Sequence, residues 1–200
     1  MILVAATGNA GKLRELRALL ADPALELRSL ADFPQLPPLV EDGDSFLANA
    51  RRKAHAVAGH AGLPAIADDS GLEVDALGGL PGVRSARFAA DAGAGSGDAA
   101  NVALLLQRLR GLPAAGRTAR FRCVIAVARP DGRELLSDGA CEGVIADAPV
   151  GSGGFGYDPV FLFGARTFAQ LAAEEKDRVS HRGRAVAALR PRLAAFLAAP

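Results

Sequence analysis

Leu63-Pro64-Ala65-Ile66-Ala67-Asp68-Asp69-Ser70-Gly71-Leu72-Glu73-Val74-Asp75-Ala76-Leu77 is the stretch on which the reading of this chain turns. The apolar run Leu63 to Ala67 reads as the end of a buried strand. Asp68-Asp69-Ser70-Gly71 reads as an acidic turn, with short strands expected at Ala65 to Ala67 and Leu72 to Leu77 on either side of it. Two adjacent carboxylates oppose each other's ionisation, so the pair demands a cation, a proton or a strong donor close by. The bland alternative is that one carboxylate caps the turn and the other faces water.

Toward the N-terminus, Ile2 to Ala6 reads as a first strand and Thr7-Gly8-Asn9-Ala10-Gly11-Lys12 as a loop. Leu13, Leu16, Leu19 and Leu20 then recur at helical spacing. Leu25 to Ser29 alternates like a half-buried strand, and Pro34, Pro37 and Pro38 mark an irregular connection. Asp44 or Ser45 is positioned to cap a helix through Phe46, Asn49, Lys53 and Val57 to about Ala61.

Toward the C-terminus, Asp98 is placed to cap a helix with Val102, Leu105, Leu106 and Leu109 on one stripe. Thr118 to Val127 puts Phe121, Cys123, Ile125 and Val127 on one strand face, and Pro130-Asp131-Gly132-Arg133 reads as a hairpin turn. With Asp131-Gly132 as a two-residue loop, Cys123 and Cys141 point to opposite faces, which argues against a disulfide. Gly151 to Pro159 is too rich in glycine for regular structure and leads to a strand over Val160 to Phe163. Thr167 with Gln170 matches a capping box opening a helix toward Lys176. A last helix starts near Ser180-His181-Arg182, with Pro191 expected to kink or split it. Alternating strands and helices followed by a hairpin predict an α/β protein with a mixed sheet.

The 200 residues suit a single domain, 1–200, or two closely joined lobes. Half of them are hydrophobic but only 5% aromatic, so the core must be built from Ala, Leu and Val. A formal net charge of +1 argues against a protein that coats nucleic acid or an anionic membrane. The N-terminal apolar run is too short for a signal peptide or a membrane span, and two cysteines without an export signal predict reduced thiols in a cytoplasmic protein.

Four stretches carry chemistry. In residues 7–12, backbone N–H groups, a helix N-terminus and a lysine converge as an anion requires, although the spacing is not that of a Walker A loop. Glu41 lies in the proline-rich connection ahead of Asn49 and Lys53, which share one helical face. Asp69 with a distant Glu41 suits a magnesium ion bridged to phosphates, and the same carboxylate could orient or deprotonate water. Phe155 and the chain's only tyrosine, Tyr157, stand in a glycine-rich loop, where stacking on a base explains them better than core filling. His181-Arg182 could donate to the carbonyl oxygens of that base.

Taken in order along nearly the whole chain, these motifs, with Pro81-Gly82, Ser85-Ala86-Arg87 and Glu175-Lys176, closely resemble the inosine triphosphate pyrophosphatase (RdgB/Ham1-like) family. The resemblance implies two α/β lobes around a long mixed sheet with flanking helices, the active site in the cleft between them, and a homodimer. It implies Mg2+-dependent hydrolysis of ITP, dITP or XTP to the monophosphate and pyrophosphate, with a small-molecule nucleotide rather than nucleic acid or membrane as partner. Asp69 is implied as catalytic residue and metal ligand, with Glu41 as the other ligand. Thr7, Gly8, Asn9, Ala10, Gly11, Lys12 and Lys53 are implied to hold phosphates, with Ser70 touching substrate. Phe155, Gly156, Tyr157, Asp158, Lys176, His181 and Arg182 are implied to form the nucleoside end.

Overall fold

The computed structural model describes residues 1–39 and 41–198. In chain order the elements are β1 (Ile2–Ala5), α1 (Ala10–Leu19), β2 (Glu26–Arg28), α2 (Phe46–Ala61), β3 (Ala65–Val74), α3 (Phe88–Asp91), α4 (Asp98–Arg108), β4 (Thr118–Ala128), β5 (Glu134–Ile145), β6 (Phe161–Phe163), β7 (Arg166–Thr167), α5 (Ala173–Val179) and α6 (His181–Ala198). The strands form one seven-stranded sheet in the order β2-β1-β3-β4-β5-β6-β7. β1 pairs in parallel with both β2 and β3, whereas β6 pairs antiparallel with β5 and β7, so the sheet is mixed as expected. The chain divides into two compact units: residues 1–69, 123–139 and 182–200, and residues 70–122 and 140–181.

In the first unit, successive residues of β1 serve opposite faces of the sheet because strand side chains alternate. Leu3 and Ala5 pack with Leu16 and Leu20 of the α1 region and Ala185, Val186 and Leu189 of α6. Val4 and Ala6 pack with Ala50, Ala54, Val57 and Ala58 of α2 and with Ala65, Ala67, Ala126 and Ala128. The second layer is made almost wholly of alanine, and the low aromatic content has its structural expression here. The second unit holds most of the aromatic core, with Phe88, Phe121, Phe161 and Phe168 around Leu72, Val74 and Leu105.

Four expectations are corrected. The acidic turn does not exist: Asp68, Asp69, Ser70 and Gly71 lie inside the ten-residue strand β3. β3 has neighbours on both sides, β1 and β4, and that pairing outweighs the local turn propensity of Ser-Gly. The hairpin loop has three residues, not two. The Arg129 N–H donates to the Arg133 carbonyl at 2.9 Å and the Gly132 N–H to the Arg129 carbonyl at 3.0 Å, with Gly132 left-handed at φ 89°. Counted from that pair, Cys123 faces Gly139 and Cys141 faces Phe121, so the thiols share a face. Both are nevertheless buried thiols outside any disulfide.

The capping box at Thr167 and Gln170 is present but opens only a single 3-10 turn, Phe168–Gln170. Leu171 and Ala172 are extended, at ψ 145° and 152°, and α5 begins anew after them. Finally, of the kink or split expected at Pro191, the split is absent: α6 runs unbroken from His181 to Ala198 with Pro191 inside it. Among the described residues no helix is long and apolar enough to cross a membrane.

Candidate active site

The order β2-β1-β3 makes β1 the point where connections diverge to either side, and ligands of such sheets gather beyond the carboxyl ends of the strands at that point. The β1–β3 pairing runs to Ala5 and Ile66, with the Ala6 N–H donating to the Ile66 carbonyl at 2.7 Å. Asp68 and Asp69 therefore lie just past the end of β1, where residues 6–9 turn away into α1. There Thr7 Oγ1 accepts from the Asn9 N–H at 3.2 Å, and Asn9 Oδ1 accepts from the Lys12 N–H at 3.0 Å as the N-cap. The first-turn N–H groups of Ala10 and Gly11 have no intrahelical acceptor, which is the donor arrangement an anion takes. Ala6, Thr7, Gly8, Asn9, Leu30, Leu39, Glu41 and Lys53 line a cavity of about 320 Å³.

On one face of β3, α2 delivers Asn49 and Lys53 to Asp69. Asn49 Nδ2 donates to Asp69 Oδ2 at 3.1 Å, and the Lys53 ammonium donates to Asp69 Oδ1 at 2.9 Å, to Glu41 Oε1 at 2.7 Å and to the Asp68 carbonyl at 2.9 Å. Burial lifts the Asp69 carboxyl above the ordinary aspartate value, and Lys53 and Lys12 only partly offset that. Burial alone would disfavour the Lys53 ammonium, but Asp69, Asp68 and Glu41 outweigh it and raise its pKa. Asp69 is thus more basic than a free aspartate while still aimed at a cation.

Asp68, one residue away, faces the α1 and α6 side. Its carboxylate accepts from Arg182 Nε at 3.2 Å and Nη2 at 2.9 Å, with the Lys12 ammonium 3.3 Å away. Arg182 also donates through Nη1 to Glu15 of α1. Burial would raise the Asp68 pKa, but Lys12, Arg182 and Lys53 hold it well below the carboxylate range. Lys12 and Arg182, expected at phosphate and base, are here both engaged by Asp68. Glu15 and Asp68 were given no role by the sequence reading. The available signal for Glu15 was an acid three residues after Lys12, beside the apolar Leu16.

In the second unit the loop 153–159 is tied down by its own aspartate. Asp158 Oδ2 accepts from the Phe155 N–H at 2.9 Å and from Lys176 Nζ at 2.5 Å, and a Cβ on Gly154 would come within 1.9 Å of that oxygen. Only glycine fits there. The Gly156 N–H donates to Asp98 Oδ2 at 2.7 Å; Asp98 is the first residue of α4, whose cap is Gly97. Lys176 Nζ stands 4.9 Å from the Phe155 ring centroid. His181 is 4% exposed and stacks on Phe121, with ring centroids 4.6 Å apart. Ser70 is half-buried on β3.

Tyr157 departs from the stacking expectation. It is 4% exposed, belongs to the aromatic core and donates its hydroxyl to the Ser85 carbonyl at 2.9 Å. Phe155 alone of the two aromatics keeps a partly open face.

The donor set of the first unit suits a hard divalent cation. Glu41 Oε1 and Asp69 Oδ1 touch the same ammonium, so they converge on one small volume. Among the described residues no group of three metal-ligating side chains occurs, and magnesium characteristically takes one or two carboxylates and completes its shell with water and substrate phosphates. Glu15, Glu41, Asp68 and Asp69 face Lys12, Lys53 and Arg182, which leaves one negative charge in excess. A polyanionic ligand needs an added cation to approach such a cluster.

The Ham1 family model matches residues 3–192. The chain is 51% identical to the dITP/XTP pyrophosphatase of Geobacillus kaustophilus over 94% of this chain and 91% of that protein. Its fold superposes on a HAM1 protein from Coxiella burnetii with a TM-score of 0.86 and 39% identity, covering 98% and 99% of the two chains. It also superposes on a nucleoside-triphosphatase / dITP/XTP pyrophosphatase from Mycobacterium abscessus with a TM-score of 0.75 and 48% identity, covering 96% and 100%.

Proposed function

The chain belongs to the Ham1 family, and from that premise we propose that it hydrolyses non-standard purine nucleoside triphosphates (dITP, XTP, ITP) to the nucleoside monophosphate and pyrophosphate. The observation that carries this reading is the Asp69 carboxylate, gripped by Asn49 on one oxygen and Lys53 on the other, beside Glu41 and just past the end of β1.

In this reading Asp69 orients the attacking water and takes its proton, for which a pKa raised by burial is an advantage. Glu41 and Asp69 would hold Mg2+, which when bound supplies charge neutralisation of the phosphates. The N–H groups of Gly8, Ala10 and Gly11 and the side chains of Thr7, Asn9 and Lys53 receive phosphate oxygens. Lys53 stabilises charge that grows on the departing pyrophosphate, an interaction stronger in the transition state than in the ground state. Lys12 acts on the same charges from its pairing with Asp68.

The second unit supplies the nucleoside residues. Phe155 offers a face for stacking, with Lys176, Asp158 and Gly156 fixing its loop and Tyr157 anchoring the loop in the core. Ser70 and His181 complete the set from this unit, whereas Arg182 belongs to the first unit, where it pairs with Asp68 and Glu15. Hypoxanthine and xanthine carry an oxygen at C6, where adenine has an amino group, so donors accept the former and leave adenine unmatched. The chain works as a homodimer in the cytoplasm, where the nucleotide pool to be cleansed lies.

Purified protein with Mg2+ is expected to release pyrophosphate from dITP and XTP much faster than from dATP. Equal rates, or orthophosphate as the first product, would refute the reading. Light scattering after size exclusion tests the dimer.

A further inference from the structure

We infer that Asn49 is a positioning residue that ties the Glu41 loop to the Asp69 carboxylate and so sets the spacing of the two acidic ligands. The inference rests on the metal-dependent reading above. Asn49 is 1% exposed, and its amide is used at both ends. Asn49 Oδ1 accepts from the Gly43 N–H at 2.8 Å, and Nδ2 donates to Asp69 Oδ2 at 3.1 Å. A backbone N–H can only donate, so Oδ1 must face Gly43 and Nδ2 must face Asp69. Aspartate or leucine in this place loses at least one of the two bonds.

The bridge has consequences for both acids. By occupying Asp69 Oδ2, the amide leaves Oδ1 as the oxygen turned to Lys53 and Glu41. By holding Gly43, it fixes the chain two residues from Glu41, which no regular element supports. Arg52 pairs with Asp42 between them, so the loop meets three consecutive contacts with one helix. Gly43 has no room to spare: a Cβ there would come within 2.6 Å of Asn49 Oδ1, although its backbone lies outside the left-handed region. Gly43→Ala therefore strains the bridge without touching either acid.

The test compares Asn49→Leu, Gly43→Ala and the double variant in the full chain. Mn2+ binding in the presence of inorganic pyrophosphate, followed by electron paramagnetic resonance of the free ion, needs no turnover. Each single variant is expected to weaken Mn2+ binding about tenfold, the low end of what outer-shell partners of metal ligands contribute. The double variant is expected to be no worse than the poorer single one, because both changes break the same bridge. In turnover, kcat should fall while KM for the nucleotide stays within about twofold of the wild type.

Unchanged Mn2+ binding in folded Gly43→Ala, or effects that multiply in the double variant, would overturn the inference. If Asn49→Leu does not fold, Gly43→Ala with its Mn2+ measurement still decides. Failure of wild-type protein to hydrolyse dITP would sink the functional reading instead, and is read separately.

Discussion

Asp68 and Asp69 are neighbours in the chain, yet their carboxylates serve opposite faces of β3: Asp68 meets Arg182 and Lys12, Asp69 meets Asn49 and Lys53. A turn would have left both acids on one exposed edge, whereas a strand sorts them by the alternation of its side chains. The repulsion expected between adjacent acids is relieved by giving each its own cations.

Asp69→Asn keeps the shape and removes the base. Turnover of dITP is expected to fall by about three orders of magnitude, near the middle of what positioned acid–base groups contribute. Calorimetry should still record nucleotide binding; near-normal kcat would remove Asp69 from its central role.

Lys53→Met removes the ammonium that counters burial at Asp69. kcat is expected to drop about a hundredfold, as when one preorganised donor is lost. The Asp69 pKa should rise further without Lys53, and since activity needs the carboxylate ionised, the acid limb of the pH–rate profile should move to higher pH. A limb that stays in place would contradict this coupling.

Asp68→Asn should act mainly on the fold. Asp68 is fully buried against Arg182, and removing one partner of such a pair typically costs about 3–5 kcal/mol. Its folded pKa is depressed, so its stabilisation is present above the ordinary aspartate value of 3.8 and is lost as pH falls toward the folded value. Urea titrations across the acid range should show a shallower loss in the variant than in the wild type.

Cys123 gives the alkaline counterpart. Burial pushes its thiol up to about 12 from 9.0, so between these values the unfolded chain loses a proton that the folded chain keeps, and stability should decline with rising pH. A thiol reagent should count two thiols in denaturant without reductant and react with Cys123 only slowly in the native protein.

Phe155→Ala and Tyr157→Phe separate stacking from packing. The first is expected to raise KM for dITP about tenfold, the order of one lost base–aromatic stack, with little change in melting temperature. The second loses the bond to the Ser85 carbonyl and should cost about 1 kcal/mol of stability with little effect on KM.

Local signals in the sequence were enough to identify the β1 strand, the helix expected to be capped by Asp44 or Ser45, and the shared face of Asn49 and Lys53, because periodicity and caps are properties of near neighbours. The loop expected over residues 7–12 ends at Asn9, which caps α1, so Ala10 to Lys12 are already helical. The α/β class followed from them. The tertiary structure alone made β3 continuous through Ser70-Gly71, since strand pairing on both sides outweighs turn propensity there. It also moved Tyr157 into the core and gave Asp68 and Glu15 their partner in Arg182, which lies 114 and 167 residues away. Charge pairing at such separations has no period and no neighbour signature, so the sequence pointed to the Asp68-Asp69 pair and Glu41 as acids in need of a cation, while the fold determined which cation each one meets and brought in Glu15.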